Sequence, residues 1–195
     1  DWRIALVPAF ALLPALVLFG AAAVIDVSHP LARYGWLAWP FAFAVLGWIL
    51  RRHEDEVPSG LARWTHVVAL WLAVALACWE AAWWIDRFVQ GRGTWPFVAW
   101  ALVPAFALAA LAKFGERLGW PFAKHCDFLL RFGGAPMAIY LWGWVFVANV
   151  LSDGNPAPLP YVPLANPLDL AMAAVIVVLS VWYLALRARD LAAGV

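Results

Sequence analysis

The sequence predicts an all-α polytopic membrane protein with six transmembrane helices, and three observations predict it. The first is Trp64–Asp86, WTHVVALWLAVALACWEAAWWID, an apolar run with one carboxylate, Glu80, inside it. A helix of about 20 residues, rising about 1.5 Å each, crosses the hydrocarbon of a bilayer. The second is composition. The chain is 66% hydrophobic and 13% charged, whereas soluble domains carry about 25% charged residues. The third is its 15 Trp and 12 Phe, many near expected span ends, where amphipathic rings anchor helices. The net charge of +1 gives no reason to expect nucleic acid as a partner. The basic residues lie in short inter-helix segments, where membrane topology accounts for them.

Span one is Trp2–Val24, with Pro8 and Pro14 as expected kink points. A polar turn, Asp26–Arg33, leads to span two, Tyr34–Leu50. RRHEDEVPSG (51–60) follows as a hydrophilic connector, and Trp64–Asp86 is span three. DRFVQGRGT (86–94) is the next loop, and Trp95–Leu111 is span four, with Pro104 inside it. The segment from Lys113 to Gly134 mixes basic and aromatic residues in short apolar runs, so residues 114–132 are expected to lie along the interface as a short helix. Span five is Ala135–Leu151. The loop 152–169 is dense in proline. Span six, Leu168–Leu186, begins with a capping signal: Asn166 as cap, Pro167 in the first helical position and Asp169 three residues after the cap. Arg187 and Arg189 are expected to close it.

Six spans can be oriented by counting Lys and Arg. Arg3, Arg51, Arg52, Arg63, Lys113, Arg117, Lys124, Arg131, Arg187 and Arg189 fall on one side, and Arg33, Arg87 and Arg92 on the other. That imbalance puts both chain ends in the cytoplasm and loop 152–169 outside. The chain begins at Asp1 without Met or a charged leader and is expected to be a single transmembrane domain, 1–195, of a longer chain.

The octapeptide ALVPAFAL occurs at Ala5–Leu12 and again at Ala101–Leu108. The same offset pairs Pro40 with Pro136, Gly47 with Gly143, Trp48 with Trp144 and His29 with His125. Chance similarity between membrane helices is one account. The other is duplication of a three-helix unit, with repeats over 1–90 and 95–190. Three spans is an odd number, so the second copy would enter the membrane inverted, as in many secondary transporters.

Glu80 is the leading candidate for chemistry, because a carboxylate inside a span is costly and by default marks a site. Trp83, Trp84 and Arg87 share its side of the helix, and Arg87 is expected to reach back toward it. Tyr140, expected to be buried in span five, and Asn149 complete a candidate polar or substrate site, with hydrogen bonding between helices as their alternative role. Glu80 has the same kind of alternative, a packed carboxylate near the outer interface. His66 lies about 21 Å along the helix from Glu80 and shares no site with it. Lys124–Asp127 contains a His, Cys and Asp, but adjacent helical residues diverge and metal sites need converging ligands. Cys78 and Cys126 form no spaced metal or redox pair. No glycine-rich phosphate loop, nucleophile elbow or zincin motif is present. No cofactor or metal is therefore expected, and a non-enzymatic role is favoured.

SDGNPAPLPYVPLANPLDL (152–170) resembles a signature of a family of large predicted bacterial inner-membrane proteins of unknown function. PLPYVPLANPLDL is the specific portion. The resemblance implies a bacterial inner-membrane address, further spans beyond these six and no transferable catalytic residues. The leading expectation is transport or binding of a small or amphiphilic envelope solute at Glu80. The second is a membrane scaffold or assembly module that meets membrane or periplasmic proteins through Tyr161, Asn166 and Asp169 of the outer loop. Its five prolines between 156 and 167 lower the entropy cost of ordering it. The third is a membrane-embedded transferase acting on a lipid-linked substrate.

Overall fold

In the computed structural model the described residues are 3–89 and 93–194, with side chains described from residue 11 onward. Arg92 and the side chains of Trp2, Arg3 and Pro8 lie outside them. So do the side chains of the first ALVPAFAL copy as far as Phe10. All regular structure among the described residues is helical. The order is α1 (Arg3–Asp26), α2 (Gly35–His53), a 3-10 turn (Glu54–Glu56), α3 (Ser59–Phe88), α4 (Trp95–Phe114), α5 (Cys126–Phe128), a π turn (Leu129–Gly133), α6 (Gly134–Leu151) and α7 (Pro167–Ala193).

Among the described residues, four helices are long and apolar enough to cross a membrane: Ser59–Phe88, Trp95–Phe114, Cys126–Leu151 and Pro167–Ala193. Of the six expected spans, span two does not meet that measure, and span one is described with its side chains only from Ala11 onward. α2 is diluted by Trp36, Trp39, Pro40, Gly47 and Trp48, and it ends in Arg51, Arg52 and His53. The described side chains of α1, Ala11–Asp26, form a shorter apolar helix.

The chain divides into two compact units, Asp1–Leu76 and Ala77–Val195. In the first, α1 packs on α2 around Trp39, which is 6% exposed. Phe19 meets its ring at 5.7 Å between centroids. The turn after α1 carries an exposed ion pair, Arg33 Nη1 to Asp26 Oδ2 at 2.9 Å, of a kind worth little in water. The connector after α2 is not the solvated link its composition suggests. The 3-10 turn folds Glu54 inward, where it is buried beside His66 of α3.

The second unit is built on α4, α6 and α7. Ala101, Ala105 and Leu108 of α4 meet Ala138, Leu141, Trp144 and Ala148 of α6 and Leu168, Ala171, Val175 and Leu179 of α7. Each set recurs at helical spacing, so each helix presents one stripe. Lipid tails are as apolar as leucine and supply no hydrophobic drive between helices. Association then rests on close packing, which small residues such as Ala101, Ala105 and Ala171 permit, and on interhelical hydrogen bonds. Trp144 Nε1 donates to the Phe97 carbonyl at 3.2 Å, and Trp182 Nε1 donates to that of Leu130 at 2.9 Å.

The segment expected to lie along the interface divides instead. Residues 115–125 form turns, while Cys126–Leu151 is one continuous helical stretch through the π turn. Leu129 and Leu130 are 1% and 0% exposed, so these two residues of the segment's second half are buried. α7 also outruns its expected end by about two turns, because Arg187 and Arg189 do not stop the helix; Gly194, in the left-handed region at φ 74°, caps it.

Candidate functional site

Glu80 sits on the last third of α3, in the second unit, and its immediate surroundings are aromatic. Trp84, one turn on, donates its indole N–H to Glu80 Oε1 at 2.6 Å. Trp84 in turn stacks on Phe88 at 5.1 Å and meets Trp83 edge-on at 5.0 Å. The guanidinium of Arg87 lies over the Trp83 ring, 5.8 Å from its centroid, and not on the carboxylate as expected. A cation over an indole face is held by the ring quadrupole.

Tyr140 is exposed, not buried, at 44%. Its hydroxyl nevertheless has a partner, donating to the Trp100 carbonyl at 3.0 Å. That carbonyl lies four residues before Pro104, which has no N–H to return to it. Tyr140 of α6 therefore satisfies the acceptor that proline frees in α4, as membrane helices require. Asn149 is also exposed, and its amide donates to the Val145 carbonyl at 2.8 Å and to Met172 Sδ at 3.1 Å. Each of the four expected residues is engaged by its own neighbours, and among the described residues no hydrogen bond joins any two of them.

The outer-loop residues fall into two roles. Asn166, 3% exposed, caps α7: its side-chain oxygen accepts from Asp169 N at 2.9 Å, while its Nδ2 donates to Asp169 Oδ2 at 2.6 Å. The same carboxylate accepts Leu164 N at 3.2 Å. Asn166 and Asp169 thus shape the helix start, as their spacing with Pro167 predicted. Tyr161 is 61% exposed. The loop is pinned to the start of α4, because Thr94 N donates to the Asn155 carbonyl at 2.9 Å and Trp95 Nε1 donates to that of Pro156 at 3.2 Å. Replacing Asn166 with Ala is expected to cost about 1 kcal/mol. Hydrogen exchange should show this as faster exchange confined to the first turn of α7.

Two polar clusters escaped the sequence reading. In the first unit, His66 Nε2 and Glu54 Oε2 lie 3.1 Å apart with both side chains 4% exposed. The signal was a histidine on an apolar helix following an acidic turn. Sequence distance alone gave no reason to fold that turn inward. In the second unit, Arg189 gathers Glu116 at 2.7 Å, Asp127 and the Cys126 sulfur at 3.3 Å, and Arg131 pairs with Asp190. The Cys126–Asp127 pair, considered above as metal ligands, here receives a guanidinium.

The model of a family described as predicted membrane protein (DUF2339) matches residues 1–195. The chain belongs to this family. The family is one of unknown function, and the match covers the whole chain, well beyond the 19 residues that carried the resemblance. No match exists among curated proteins or among solved structures. The family and the apolar helices together make this a membrane protein, held in a lipid bilayer.

Proposed function

We propose that this chain is a non-enzymatic membrane scaffold whose proline-rich loop is its contact surface. One observation carries the reading: the polar groups expected to bind a solute are consumed internally, while the loop is held in place and keeps an apolar edge exposed. Leu159, Tyr161, Val162 and Leu164 are 54%, 61%, 49% and 84% exposed, on a backbone tied to Thr94 and Trp95. An ordered apolar edge loses little entropy on binding. The proposed setting is a bacterial inner membrane with six spans, both ends of the segment cytoplasmic and the loop periplasmic. The octapeptide repeat supports two three-helix halves of opposite orientation within that topology.

A photo-crosslinking residue at Leu164 tests this in cells. A discrete protein adduct is expected there and not at Phe106, a 78% exposed residue on a span. Adducts with lipid alone at both positions would overturn the scaffold reading. Transport through Glu80 remains the competing account, supported by its place in a span. It requires Glu80→Gln to abolish solute flux in a folded protein, and unchanged flux is expected instead.

A further inference from the structure

A cleft between α6 and α7 encloses about 300 Å³ and is lined by Trp142, Ile176, Leu179, Ser180, Trp182 and Tyr183. All six belong to helices long and apolar enough to span a membrane, so the cleft opens onto the hydrocarbon that surrounds them. Two of its polar groups are already spent. Ser180 Oγ donates to the Ile176 carbonyl at 2.9 Å, and Trp182 Nε1 is bound to Leu130. A polar solute gains little from such a wall. A hydrocarbon chain gains many close contacts there.

Charge supplies the second half of the site. Ile176, Ser180, Tyr183 and Arg187 recur at i, i+4, i+7 and i+11, which places them on one stripe of α7. Arg187 lies about 6 Å along the axis beyond Tyr183, toward the helix end. The nearby guanidinium groups are committed: Arg131 to Asp190, and Arg189 to Glu116 and Asp127. Arg187 is exposed and makes no ion pair or hydrogen bond among the described residues. An unneutralised arginine one turn beyond a hydrocarbon-lined cleft is matched by the phosphate of a lipid whose headgroup carries no cation to neutralise it.

We propose that this cleft and Arg187 form a binding site for an anionic phospholipid, with one acyl chain along Trp142, Ile176 and Tyr183 and the phosphate at Arg187. The site does not depend on the scaffold reading, since it lies on the membrane-embedded helices and not on the loop.

The test is lipid titration of the full chain in mild detergent, read by native mass spectrometry. Dioleoyl phosphatidylglycerol is expected to bind more tightly than dioleoyl phosphatidylcholine. Arg187→Gln should weaken phosphatidylglycerol about fivefold and leave phosphatidylcholine unchanged, while Arg187→Lys should retain most of the preference. Ser180→Phe fills the cleft and should weaken both dioleoyl lipids. An unchanged lipid preference in Arg187→Gln would overturn the headgroup assignment. Unchanged binding in a folded Ser180→Phe would overturn the cleft. If that variant does not fold, dihexanoyl phosphatidylglycerol decides with the unaltered chain: weaker binding than the dioleoyl lipid upholds an acyl-chain site, and equal binding refutes it.

Discussion

Replacing Glu54 with Leu is expected to lower stability by about 3 kcal/mol, because it removes the carboxylate from a pair whose two side chains are each 4% exposed. The penalty comes from His66, which loses a 3.1 Å acceptor in a place where water is not available to replace it. Glu54→Gln keeps an acceptor oxygen at the same reach and should lose only about 1 kcal/mol. Unfolding in detergent with increasing denaturant gives both values. Equal losses for the Leu and Gln variants would show that packing volume at position 54, and not the bond to His66, sets the cost. Exposed Glu56, bonded to His53 at 3.1 Å and 53% exposed, serves as the contrast, and Glu56→Gln should be close to neutral.

Gly134→Val should destabilise the second unit by a similar amount, about 3 kcal/mol. A Cβ at position 134 would lie 2.5 Å from Trp182 Nε1 and 3.0 Å from Leu108 Cδ1. Trp182 cannot retreat without giving up its 2.9 Å bond to the Leu130 carbonyl. The substitution therefore combines overpacking with a lost interhelical hydrogen bond. Gly143 provides the opposite case on the same helix, since nothing lies within 4 Å of a Cβ built there. Gly143→Ala should stabilise by up to about 1 kcal/mol through helix propensity alone. Thermal unfolding of the two variants checks the difference in sign. In a Trp182→Leu background the cost of Gly134→Val should shrink, because the two residues share the clash.

Helix positions were largely legible from the sequence, and the reasons are local. Long apolar runs have few alternatives in lipid, where a backbone must satisfy its own hydrogen bonds. The start of α7 was readable to the residue, because Asn166, Pro167 and Asp169 form a cap whose partners lie within one turn. The helix ends that depend on distant partners were not. Arg187 and Arg189 resemble a stop signal, yet Arg189 continues the helix toward Glu116 and Asp127, residues 73 and 62 positions away. Leu129 and Leu130 sit among charges that suggest an interface, and only their contact with the second unit's core explains their burial.

The candidate site shows the same division. Trp84 was placed correctly on the side of Glu80 by helical spacing, since four residues make one turn. Arg87 shared that spacing, but whether it would take a carboxylate or an indole face depended on side-chain packing around Trp83. Tyr140 is the clearest example. Its need for a partner follows from its hydroxyl, and Pro104's freed carbonyl follows from proline chemistry, but nothing in the order of residues joins the two. The sequence by itself determined the membrane class, the main helices and the cap of α7, because those follow from composition and from interactions within a turn. Only the tertiary structure decided that Tyr140 answers Pro104, that Glu54 folds in against His66 and that Arg187 keeps no ion pair among the described residues. Those outcomes depend on which helices meet, and hydrogen bonds between helices are made wherever packing brings a donor to an open acceptor.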